Sequence, residues 1–231
     1  MGVRGRKAGR GKAGDLSSYL VWFDTEYTSL DLGRARLLQV AMMITDGDLR
    51  RVGPPERDVR LAIRLPPSAR LSPWVEENLK PLVARCRSAD AVTAAEADRR
   101  LAAALDEALG PAPDSVTKRP VLAGNSVHAD WWLARRFLPQ FLGRLHYRQL
   151  DVTALKLEWL RRNPSFDFEK ESGEIVRRHF PGALIGPDER HDAYYDAQAS
   201  AAELAFYRKH LLSRPARSGR EAAVAKKGSK A

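Results

Sequence analysis

Cysteine is almost absent from this sequence, with Cys86 the only one in 231 residues. One thiol cannot form an internal disulfide or a cysteine-rich metal site, so a reducing cytoplasm is the simplest expectation. Cys86 itself reads as a small buried or surface thiol. Long apolar runs are also missing: no stretch approaches the roughly 18 apolar residues of a membrane span, so no membrane partner is expected. The basic N-terminus has no apolar segment behind it and does not read as a secretory signal. There are no internal repeats. Cys/His zinc spacing, a phosphate-binding glycine loop and a G-x-S-x-G elbow are all lacking, which removes three common catalytic classes. Extensive disorder is excluded by a 44% hydrophobic content, enough for a buried core.

Acidic residues are scarce only at the two ends. The net charge is +10. Residues 1–14 hold Arg4, Arg6, Lys7, Arg10 and Lys12 with no acid. Residues 214–231 hold Arg214, Arg217, Arg220, Lys226, Lys227 and Lys230 against Glu221. The whole excess therefore lies in two Gly/Ala/Ser-rich segments that cannot bury a core. The expected organisation is a basic disordered tail over 1–17, a folded domain over 18–212 and a second such tail over 213–231. The tails read either as nonspecific nucleic-acid contacts or as solvated chain with no specific task.

Between them, an apolar and aromatic run over 18–23 predicts a buried strand. A second apolar run over 36–45 precedes a turn at Gly47-Asp48. Residues 57–65 alternate Val59, Leu61, Ile63 and Leu65, the period of a half-buried strand. Short polar connections make these three an antiparallel meander. Pro66-Pro67 ends the sheet. Helices are expected over 91–109, 128–143, 152–162 and 192–212, with short strands at 120–124 and before Asp151. Residues 163–190 are the least regular, with a short helix near 169–180. Strands first, then helices alternating with strands, predict an α/β fold with a mixed sheet covered by helices.

Asp24 and Glu26 stand at the end of the first strand. Positions i and i+2 of an extended chain point to one side, and two carboxylates there repel unless a cation neutralises them. Magnesium and manganese favour such oxygen ligands. Asp130 follows a strand-to-helix turn, where helix capping is the plain alternative. His191 precedes the last helix and Asp196 lies on its first turns; a surface histidine and a solvated acid are the plain readings. Taken together the five are coherent. Phosphodiester hydrolysis by two metal ions about 3.5–4 Å apart needs clustered carboxylates, and a neutral histidine suits removal of a proton from water.

In order and context, these residues resemble the DEDDh exonuclease superfamily, and oligoribonuclease in particular. V-W-F-D-T-E-Y-T-S-L at 21–30 is similar to that group's W-I-D-x-E-M-T-G-L. G-N-S-V-H-A-D at 124–130 resembles G-N-S-I-x-x-D. H-Y-R-Q-L-D-V-T-A-L-K at 146–156 resembles H-Y-R-x-L-D-V-S-x-L-K, the block that separates oligoribonuclease from broader relatives. H-D-A-Y-Y-D at 191–196 and E-L-A-F-Y-R-K-H at 203–210 resemble the closing H-x-A-x-D-D and E-L-x-Y-Y-R-x-H. The resemblance covers about 19–212.

It implies an RNase H-like fold, two divalent ions (Mg²⁺ or Mn²⁺), a homodimer and short RNA as substrate, dinucleotides above all. It implies that Asp24, Glu26, Asp130 and Asp196 hold the metals and that His191 is the base. Leu30 would be an apolar wedge against a base and Trp74 a stacking platform. Ser126, His146, Tyr147, Arg148 and Thr153 would cap the 5′ phosphate or line the dimer face. Ordinary packing is the plain alternative for Trp74 and Tyr147. The chain departs from the pattern at Tyr27, Ser29, Gln39 and Tyr195, none of them among the five, and by a longer segment between Asp151 and His191. That segment has the potential to change substrate length preference or gate the site. The rival expectations are a broader 3′-to-5′ exonuclease on longer RNA or single-stranded DNA, and a non-enzymatic binding protein on the same scaffold.

Overall fold

The computed structural model describes residues 14–186 and 192–211. Five strands form one mixed sheet in the order β3-β2-β1-β4-β5. They are β1 (Leu20–Tyr27), β2 (Leu37–Thr45), β3 (Val59–Ala62), β4 (Val121–Gly124) and β5 (Gln149–Asp151). The first three are the expected antiparallel meander, and β4 and β5 join parallel to β1. Eight helices complete the described fold: α1 (Pro73–Asn78), α2 (Lys80–Cys86), α3 (Ala94–Leu109), α4 (Val127–Phe137), α5 (Pro139–Leu142), α6 (Val152–Arg162), α7 (Gly173–His179) and α8 (Ala193–Leu211). This is the α/β architecture that the sequence pattern indicates.

Alternation along β1 divides the core into two layers. Leu20 and Trp22 pack with Trp159, Val176 and the helix α8, while Val21 and Phe23 pack with Leu101, Leu133 and Phe141. Trp22 is fully buried, and its indole N–H donates to the Thr45 hydroxyl at 3.0 Å, so the polar atom is satisfied. α8 has no single apolar stripe. It is buried on nearly every side, because β1 and β2 lie against it on one face and α6 and α7 on the other. Its small residues Ala197, Ala201 and Ala202 permit that close approach.

The helix expected over 128–143 is two helices, α4 and α5. Leu138 breaks it with φ −131° and ψ 54°, because Pro139 disfavours the α region in the residue before it. The strand expected over 57–65 is shorter, with Ile63 continuing only as a single bridge to Val92. The first strand is longer than its apolar run: it continues through Asp24 and Glu26 to Tyr27. No helix among the described residues is long and apolar enough to cross a membrane.

Candidate active site

The parity that sends Leu20 and Trp22 toward α8 continues to Asp24 and Glu26. On that side α8 presents Asp196, in its first turn. One carboxylate oxygen from each of Asp24, Glu26 and Asp196 lies within 4.8 Å of the other two. Asp130 arrives by another route. β4 pairs with β1 only as far as Trp22 and then turns away into α4, leaving the end of β1 open on that side. A Cβ on Gly124 would stand 3.0 Å from the Phe23 carbonyl oxygen, so a larger residue there would require the two strands to part slightly. Asp130 is buried on α4 and accepts a 2.6 Å hydrogen bond from the Thr25 hydroxyl. It therefore stands beside the cluster of three rather than within it.

The electrostatics follow from this crowding. Burial, then repulsion from Asp130 and Asp196, pushes Asp24 well above the usual carboxylate range. Glu26 is raised to about 8, first by burial and then by Asp196 and Asp192. Burial also lifts Asp130 to about 7, against the opposing bond from Thr25. Four acids of this kind favour a cation, and the donors are all hard oxygens, which suits Mg²⁺ or Mn²⁺ better than a softer metal. One cation is already present. The Lys170 ammonium pairs with Asp196 Oδ1. Burial works against the Lys170 charge, but Asp196, Asp24 and Glu203 outweigh it and hold the group above its ordinary value.

His191 lies outside the described residues. Its neighbour Asp192 is held by Gln39 of β2, whose amide donates to Asp192 Oδ2 at 2.8 Å and accepts from the Ala193 N–H at 3.2 Å. Gln39, a departure from the family pattern, thus fastens the start of α8 to the sheet.

Leu30 is 87% exposed, Tyr147 57% and Trp74 49%, so all three present apolar surface to solvent. His146 stacks on Tyr147 with ring centroids 4.7 Å apart, and the Arg148 guanidinium lies 5.2 Å from the Tyr147 centroid. Ser126 and Thr153 are brought together, with a structural reason of their own. Ser126 adopts φ 49° at the cap of α4, a costly conformation for a residue with a Cβ. Its N–H donates to Thr153 Oγ1 at 2.8 Å and Asp151 Oδ1 at 3.0 Å, which holds the turn.

Several positioning residues were not among the sequence candidates. Asp151 and Thr25 are two. Glu203 is a third, fully buried, accepting from Asn125 Nδ2 at 2.7 Å and the Tyr207 hydroxyl at 2.8 Å. Lys170 is the fourth. A buried acid in the middle of an apolar helix was a signal for Glu203; nothing in its local sequence marked Lys170.

The order of strands and the acidic cluster at the end of β1 suit a metal-dependent nuclease. Residues 21–204 match the family model described as Exonuclease (RNase_T). The oligoribonuclease of Azoarcus sp. (strain BH72) is 31% identical over 201 residues, covering 84% of this chain and 96% of the relative. The chain therefore belongs to the exonuclease family and, inside it, to the oligoribonucleases. It is a nuclease of the hydrolase class. Solved structures agree on the fold. That of cell-death related nuclease 4 (CRN-4) superposes with a TM-score of 0.55 at 14% identity over 85% of this chain, which spans 65% of that protein, just under two thirds. Pop2p of S. pombe, solved with Mg²⁺ and Mn²⁺ bound, gives 0.54 at 11% identity over 87% of this chain and 86% of that one.

Proposed function

We propose that this chain is a 3′-to-5′ exoribonuclease that degrades short oligoribonucleotides, dinucleotides preferred, to mononucleotides. The observation that carries the reading is the convergence of Asp24, Glu26 and Asp196 within 4.8 Å at the end of β1, with buried Asp130 alongside. These four would hold two divalent ions, Mg²⁺ or Mn²⁺. When bound, the ions supply Lewis-acid stabilisation of phosphate charge and a lowered water pKa.

The protein groups do the rest. His191 is the general base that takes the proton from the attacking water, a role suited to an imidazole near neutrality. Thr25 fixes the rotamer of Asp130, and Gln39 fixes the residue that follows His191. Exposed Leu30 and Trp74 offer a wedge and a stacking face to the bases. Ser126, His146, Tyr147, Arg148 and Thr153 receive the 5′ phosphate or line the face of a homodimer, to which exposed Tyr147 and Arg148 contribute. A receiver of this kind closes the site to longer chains. The catalytic domain spans 18–212, the basic segments 1–17 and 213–231 flank it, and the reduced single cysteine suits the cytoplasm.

A second reading keeps the chemistry and widens the substrate to longer RNA or single-stranded DNA. It is favoured by the added segment after α6, which reaches the acidic cluster through Lys170. Cleavage of 5′-labelled RNAs, from dinucleotide to about twenty nucleotides, a span beyond one ordinary single-strand site, separates the two. Much faster cleavage of the dinucleotide supports the first reading. Equal rates on long and short chains support the second, and no hydrolysis with either metal removes both.

A further inference from the structure

The segment between α6 and α7, residues 163–172, is irregular, but it is fastened at successive positions. The Trp159 indole N–H donates to the Phe166 carbonyl at 2.5 Å. Lys156 Nζ lies 3.0 Å from Asp167 Oδ2. The Phe168 ring is buried, 4% exposed, in the layer beneath α8. The Tyr195 hydroxyl donates to the Lys170 carbonyl at 2.6 Å. Tyr195 is one of the chain's departures from the family pattern, and the segment it holds is part of another. In this structure the first clamps the second. Their joint result is a single placement: the Lys170 ammonium, only 26% exposed along its side chain, against Asp196.

We propose that Lys170 is a built-in counter-ion of the metal site, which neutralises Asp196 in the metal-free protein and competes with the incoming cation for that carboxylate. The fastened segment 163–172 thereby sets how tightly the site takes up metal. Lys170 is a positioning residue: it acts on the cluster through Asp196. The inference rests on the reading that Asp24, Glu26 and Asp196 hold divalent cations. Its physical basis is that an ammonium within contact distance of a ligand oxygen repels a divalent ion and must leave that oxygen before the ion takes it. An unfastened surface lysine would be displaced at little cost. One held by its own carbonyl and by a buried neighbouring ring has less freedom to move away.

The test is calorimetric titration of the full chain with Mn²⁺ alone, without substrate. Lys170→Gln is expected to bind Mn²⁺ about tenfold or more tightly than the parent chain, because a unit positive charge beside the site is gone. Lys170→Arg, which keeps the charge, is expected to stay near the parent affinity. Tyr195→Phe, which releases the clamp but keeps the ring, is expected to fall between. Thermal melts without metal give a second readout: Lys170→Gln should melt lower than the parent, and Mn²⁺ should raise its melting temperature by more. Unchanged or weaker Mn²⁺ binding by Lys170→Gln overturns the proposal, even while Asp24→Asn abolishes binding and so upholds the metal site. If parent and Lys170→Gln both fail to bind, or if binding survives Asp24→Asn, the metal-site reading fails and the proposal with it.

Discussion

Asp24 is held well above the usual carboxylate range by its surroundings. It is buried, it faces Asp130 and Asp196, and Lys170 offsets only part of that repulsion. Replacing Asp24 with Asn removes a metal ligand and a charge while preserving shape. Turnover on a dinucleotide should fall at least about a thousandfold, the scale of losing metal-based stabilisation of phosphate charge. The metal-free variant should melt higher than the parent, since an amide does not repel its neighbours. Steady-state cleavage and a thermal melt read the two effects, and a variant that stays active contradicts the assignment. Glu26 adds a pH dependence. It titrates near 4.5 when unfolded and near 8 in the fold. Between those values the folded chain keeps a proton that the unfolded chain has released, so rising pH favours unfolding. Asp130, raised to about 7, acts in the same direction. The metal-free protein should lose stability steadily from pH 5 to 8, as followed by urea titration, and saturating Mn²⁺ should flatten the trend.

At the scale of elements, the site depends on how β4 leaves β1. Gly124 permits the close pairing, Ser126 turns the chain, and Asp151 with Thr153 at the start of α6 secures the turn. Gly124→Ala places a methyl 3.0 Å from the Phe23 carbonyl oxygen, which must move. A loss of about 1–3 kcal/mol is expected from the overpacking. Because Phe23 adjoins Asp24, activity should drop by more than the stability loss explains. Urea unfolding alongside dinucleotide cleavage checks both, and a variant with parental stability would show that the strands part without strain. Other elements were less legible in the sequence. The break between α4 and α5 is hidden in the sequence because the apolar pattern runs on through Leu138 and Phe141, and only the preference of the residue before Pro139 ends the helix. α8 carries no marked apolar stripe. Burial on nearly every side was concealed by its small and polar residues, whose polar groups are paired by other elements: Gln198 with Arg51 and Leu184, Glu203 with Asn125.

For the whole molecule, the decisive asymmetry is between a neutral domain and two basic ends. If those ends touch nucleic acid, they do so through phosphates, and the effect must depend on salt. Removing residues 1–14 and 214–231 should leave dinucleotide cleavage unchanged and flatten the salt dependence of affinity for a longer single strand. Fluorescence anisotropy at several salt concentrations measures this; identical slopes would make the tails spectators.

The sequence by itself determined the α/β class, the antiparallel start of the sheet, the pairing of Asp24 with Glu26 on one side of β1, and membership of a nuclease family. These follow from local periodicity and from short blocks whose residues are adjacent in the chain. The family blocks also implied that Asp196 joins Asp24 and Glu26; tertiary structure alone decided that Asp130 stands beside that group in a hydrogen bond with Thr25, and that Lys170 and Gln39 reach the same region. Those facts depend on contacts between residues far apart in sequence. Which side chain faces which is set by the packing of α8 and the 163–172 segment against the sheet, and no local pattern encodes it.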